Sequence, residues 1–140
     1  MRIVLDTNVV LSALLWRGTP YRFLQTIRQQ EHAQLYTSAA LLNELAKVLI
    51  RPAPAKRIAL LGRAAHEILA DYIDAIELVT PRAVPPVVAA DVDDDQVIAA
   101  AVAAEADLLV SGDRQVLALG SHGNIRIVTP AEALQLINFA

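Results

Sequence analysis

Five short runs, RIVL at 2–5, QLYT at 34–37, IELVT at 76–80, DLLVS at 107–111 and IRIVT at 125–129, alternate along the chain with longer helical stretches. A strand with one wet face alternates polar and apolar residues. These runs are largely continuous in apolar character, so both faces must be covered, and the intervening stretches must act as crossovers. The pattern predicts an α/β fold: three layers, with a central parallel sheet between helices. With 140 residues, 55% of them hydrophobic, about 70% of the unfolded surface can be buried, which suits one domain over 1–140.

The helical stretches carry recognisable starts and stops. VVLSALLW at 9–16 is apolar all round and reads as a buried helix. Thr19 before Pro20 reads as a cap followed by proline at the first helical position, with Phe23, Leu24 and Ile27 on one face. Ser38 caps a helix over 39–50 with the stripe Leu41, Leu42, Leu45, Val48 and Leu49, stopped by Arg51-Pro52-Ala53-Pro54. Further helices are expected at 56–73 and 93–105, a helical turn from Asp113 to Leu119, and a closing helix begun by Thr129 and Pro130. PRAVPPVVAA at 81–90 reads as an extended connector, too short for an interdomain linker, and GSHGN at 120–124 as a turn.

Composition removes several chemistries. With no cysteine, disulfides, thiolate nucleophiles and zinc–thiolate sites are excluded, and a reducing cytoplasm is permitted. His32, His66 and His122 are scattered in polar contexts and read as surface residues, so any metal is expected to be held by oxygen. No apolar run reaches the ~18 residues a membrane span needs, and the N-terminus enters a strand directly, which predicts a soluble, cytoplasmic protein without a membrane partner. The net charge of −3 argues against a nucleic-acid partner, but ten of the twelve basic residues are arginine, the side chain best shaped for phosphate.

The acids are the informative residues. Ligand crevices of open parallel sheets lie beyond the carboxyl ends of the strands. Asp6 ends the first strand, Asp113 follows DLLVSG, and DVDDD at 91–95 leads into a helix. Glu44 lies about 100° from the centre of its helix stripe, on the flank of the buried face. Each has a structural alternative: Asp6 and Asp113 as helix caps, Glu44 as a solvated flank residue, and Asp93 with Gln96 as a capping box. Of Asp91, Asp94 and Asp95, Asp94 stands on the stripe with Val97, Ile98 and Ala101, whereas Asp95 lies about 80° off its centre. Asp94 is therefore the expected inward ligand and Asp95 its substitute. Converging carboxylates raise one another's pKa unless a cation intervenes, and oxygen-only ligands suit Mg²⁺ or Mn²⁺. Such an ion acidifies a bound water and offsets charge on a departing oxygen, which is the chemistry of phosphodiester hydrolysis.

Four stretches, VLDTNVVLSALLW, TSAALLNEL, DVDDDQVIAAAV with ADLLVSGDRQVL, and IRIVTPAEAL, together resemble a PIN domain over nearly the whole chain. The likeness is to the branch formed by toxins of bacterial toxin–antitoxin systems, the VapC-like ribonucleases. The resemblance implies an RNA-cutting, Mg²⁺- or Mn²⁺-dependent endonuclease with an acidic quartet at Asp6, Glu44, Asp94 and Asp113. It implies metal ligation by Asp6, Asp94 or Asp95, and Asp113, with Thr7, Asn8 and Ser111 supporting the acids by hydrogen bonds. It also implies a homodimer and a small antitoxin that blocks the site.

Two other classes fit less well. A phosphoacceptor receiver domain resembles this pattern of acids but has a lysine near the end of a late strand, and here the lysines are Lys47 and Lys56, both early. A haloacid-dehalogenase-like phosphatase resembles Asp-x-Asp in its first strand, where this chain has Asn8. A non-catalytic scaffold that binds RNA or a protein is the remaining alternative. Trp16 reads first as a packing anchor and second as a base-stacking platform.

Overall fold

The computed structural model describes residues 1–82 and 92–138, with side chains described from Asp95 onward in the stretch that resumes at 92. The strands are β1 (Arg2–Leu5), β2 (Gln34–Ser38), β3 (Ile76–Val79), β4 (Leu108–Val110), β5 (Ser121–His122) and β6 (Ile125–Val128). The helices are α1 (Thr7–Leu15), α2 (Thr19–Arg28), α3 (Ala39–Leu49), α4 (Pro52–Leu60), α5 (Ala65–Ile73), α6 (Val92–Ala103), α7 (Arg114–Leu117) and α8 (Pro130–Asn138).

The strands form one sheet in the order β3-β2-β1-β4-β6-β5. All neighbours are parallel except β5 and β6. The expected α/β class therefore holds, and the sheet is mixed at one edge. The turn expected at GSHGN is a tight antiparallel hairpin: Gly123 takes φ +59, which lets Ser121 and His122 pair back onto β6.

Alternating side chains of each strand feed two cores. Ile3, Leu5, Leu35, Leu108, Val110 and Val128 pack with α1, α2, α4, α5, α8 and the lower part of α3. Val4, Leu109, Ile125 and Ile127 pack with α6, Leu41 and Val116. This period-2 division explains why the runs show no polar alternation. Helix α6 joins the second core through Val97, Ile98, Ala100, Ala101 and Ala104, all buried, and three of the five are alanines, which lets its axis lie close to the strands.

Three boundaries differ from expectation. The helix expected over 56–73 is two helices, α4 and α5, separated at Gly62, which sits in the left-handed region at φ +69. A Cβ there meets nothing within 4 Å, so the cost of replacing Gly62 is purely conformational. Gly62→Ala should lower stability by about 1 kcal/mol, to be read as a shift in the denaturation midpoint. At the start of α2, Gly18 is the cap and Thr19 already lies in the helix. Helix α6 begins at Val92, so Asp93 belongs to its first turn and is not the residue before it. Beyond Arg82, the connector expected at 81–90 lies outside the described residues, as does Asp91.

Other predicted starts stand as read. Ser38 Oγ accepts from Leu41 N at 3.3 Å to cap α3. Thr129 and Glu132 form a reciprocal capping box on α8, and the Thr129 backbone N–H, then its hydroxyl, hold the Glu132 carboxyl below its ordinary range. Its contribution is present above the unfolded-state pKa and fades as pH falls through the folded one. Among the described residues no helix is long and apolar enough to cross a membrane.

Candidate active site at the sheet switch point

The sheet order reverses at β1: the chain moves outward through β2 and β3, then returns to the other side of β1 with β4. The crevice beyond the carboxyl ends of β1 and β4 is where open α/β sheets admit a ligand. Asp6 is the first residue beyond β1, and its backbone is fixed from both sides. Its N–H donates to Val110 O at 2.9 Å, and its carbonyl accepts from Val9 N at 3.0 Å and Val10 N at 3.1 Å.

The Asp6 carboxylate, 8% exposed, caps α1 and also reaches across to the end of β4. Oδ1 accepts from Thr7 N at 2.8 Å, and Oδ2 accepts from Ser111 Oγ at 2.7 Å. Ser111, fully buried just beyond β4, uses the same oxygen to accept from Asp113 N at 3.0 Å. One hydroxyl thus ties the end of β1 to the turn that presents Asp113. Asp113 is half-buried and caps α7 through Oδ1, which accepts from Gln115 N at 2.8 Å.

Ser111→Ala removes the donor to Asp6 and the acceptor for Asp113 N together. A loss of about 1–3 kcal/mol in stability is expected, measured by chemical denaturation. The size of the loss separates this substitution from an ordinary surface change, which stays within about 0.5 kcal/mol.

The other acids arrive on elements packed around this point. Glu44 is half-buried on α3, which packs against α1 and α6. Asp95 is 8% exposed on α6, which packs against β1, β2 and α3. The side chain of Asp94 lies outside the described residues, as does that of Asp93. Among the described residues no three acidic or imidazole groups close on a single point. The structure joins Asp6 and Asp113 through Ser111; α6, which carries Asp95, packs on β1 and β2, and α3, which carries Glu44, packs on β2 and α6.

Thr7 and Asn8 differ from each other. Thr7 supports Asp6 through its backbone N–H, while its own Oγ1 is buried without a hydrogen-bond partner; Asn8 is exposed in the first turn of α1. Ser38, legible in the sequence only as a cap, is missed as a neighbour of the site. Extending the β1–β2 register of Val4 with Tyr36 places Ser38 level with Asp6 on the adjacent strand. Trp16 is 41% exposed at the far end of nine-residue α1, about 14 Å along the axis from Asp6, so it packs no base at this site. His32 and His66 are exposed and His122 is half-buried in β5.

Asp6 and Asp95 are buried carboxylates, Asp113 is tied to Asp6 through Ser111, and Thr7 Oγ1 is a buried hydroxyl, although among the described residues no three acidic groups gather at one point. Oxygen donors of this kind are what a hard divalent cation takes.

The fold resembles a solved structure, VapBC2 from Rickettsia felis bound to a DNA fragment from their promoter. The TM-score is 0.64 at 15% sequence identity, over 91% of this chain and 97% of that one. Among curated proteins, none matches the chain. The sequence profile of the PIN domain matches residues 2–115, which takes in Asp6, Glu44, the aspartates at 93–95 and Asp113. On that match, and with the fold in agreement, the chain belongs to the PIN domain family.

Proposed function

We propose that the protein is a Mg²⁺- or Mn²⁺-dependent endoribonuclease and the toxin of a toxin–antitoxin pair. The observation that carries this reading is the Asp6–Ser111–Asp113 linkage at the β1/β4 switch point, with buried Asp95 on the helix packed against the same strands. When bound, a divalent ion there supplies an acidified water and a counter-charge for the departing oxygen. Asp6 and Asp95 would hold the ion, and Asp113 would bind a second ion or orient water. Ser111 fixes the Asp6 carboxylate in one orientation. Glu44, from α3, would position or deprotonate the attacking water. Asp94, favoured by the helical wheel, stands one residue from Asp95 and is the competing ligand.

The toxin assignment is supported by the VapBC2 likeness. In this reading the chain pairs with a cognate antitoxin, forms a homodimer and works in the cytoplasm, with RNA as its substrate. The test is cleavage of a mixed RNA pool by the purified protein with Mn²⁺, repeated with a chelator. Cleavage that a chelator stops and added Mn²⁺ restores supports the reading. Intact RNA under every metal condition refutes it.

A further inference from the structure

One strand outward from Asp6, at the ends of β2 and β3, a cavity of about 200 Å³ opens between Ser38, Leu78, Val79, Thr80, Arg82 and Gln96. We propose that this cavity seats the nucleobase adjoining the scissile phosphodiester, and that the Gln96 side-chain amide selects among bases. The proposal rests on the nuclease reading above and adds a specificity-determining residue to it.

Position is the first argument. Ser38 is level with Asp6 on the neighbouring strand, and Ser38 itself pairs with Val79; adjacent strands lie about 4.8 Å apart. Gln96 directly follows Asp95 on α6, with Cα atoms about 3.8 Å apart. The cavity therefore adjoins the acids along both the sheet and the helix, within reach of the base next to a phosphate held there.

Chemistry is the second. The walls combine apolar surface with a few polar groups. Leu78 is 61% exposed on the edge strand, a large apolar side chain left in water, and half-buried Val79 lies beside it. Apolar surface suits the face of a base, while a glutamine amide offers one acceptor and two donors to its edge. The volume equals the share of about seven water molecules at ~30 Å³ each, room for one base. Single-stranded RNA is read in this way, by unstacked bases held against side chains and bonded along their edges.

The test uses the full chain with a short RNA library randomised around one site, and the product ends are sequenced. Wild type should favour one base beside the cut. Gln96→Ala should flatten that preference by about 5–100-fold and raise KM more than it lowers kcat. Gln96→Glu, which can only accept, should shift preference toward bases presenting an amino group. An unchanged base profile in Gln96→Ala overturns the proposal. A second arm needs no cleavage: anisotropy of labelled oligonucleotides bound to Asp6→Asn protein, with and without Gln96→Ala. Base-dependent affinity that disappears with Gln96→Ala supports the pocket even if no RNA is cut, an outcome that would count against the nuclease reading alone. Base-independent affinity, or no RNA binding, overturns the pocket.

Discussion

Asp6→Asn protein is expected to retain its far-UV circular dichroism and to lose RNA cleavage by about 10³-fold or more. The substitution is nearly isosteric. Asparagine keeps an oxygen to accept from Thr7 N, and the Asp6 backbone bonds to Val110, Val9 and Val10 do not involve the side chain. What disappears is the negative charge needed for a cation. A second readout is thermal: a saturating divalent ion at about 100 times its Kd stabilises a native site by ~2.7 kcal/mol. Mn²⁺ should therefore raise the melting temperature of the wild type and leave that of Asp6→Asn nearly unmoved. Full cleavage by Asp6→Asn would remove Asp6 from the site altogether.

The second large effect lies on α6. Asp95→Asn should abolish cleavage to a similar extent, about 10³-fold, and should also suppress the Mn²⁺-induced rise in melting temperature. Asp94→Asn should show the smaller loss of the two. The reason is placement: Asp95 is 8% exposed on a helix packed against β1, the strand that ends at Asp6. The reverse order of effects would give the ligand role to Asp94.

These two residues also mark how far the sequence could be read. The strands were legible because Ile3, Val4, Leu109 and Val110 are buried on opposite faces of one sheet, and only a doubly covered strand tolerates such runs. Asp6 and Asp113 were legible because parallel strands end at one edge. The choice between Asp94 and Asp95 was not. A helical wheel needs a polar face to define an inward direction, and on α6 the buried positions Val97, Ile98, Ala99, Ala100, Ala101 and Ala104 occur nearly all round the axis. The break at Gly62 was hidden for a related reason: Ile58 and Ile68, buried in one core, continue an apolar pattern across it. The strand at Ser121–His122 is too short to carry any periodicity. Ser111 was identifiable only through the family likeness, since nothing local announces a serine that bonds across 105 residues to Asp6.

Helix α6 lies on the strands partly by the methyl groups of Ala100, Ala101 and Ala104, each with no exposed surface. A valine or leucine at Ala100 or Ala101 must lift it, at a cost of about 1–3 kcal/mol. The lift carries Asp95 along, and a displacement of about 1 Å at a reacting centre costs on the order of 100-fold in rate. A screen for inactive but folded variants should therefore return hits at alanines that touch neither ion nor RNA, because the tolerance of the chemistry is set by the thinnest side chains in the protein.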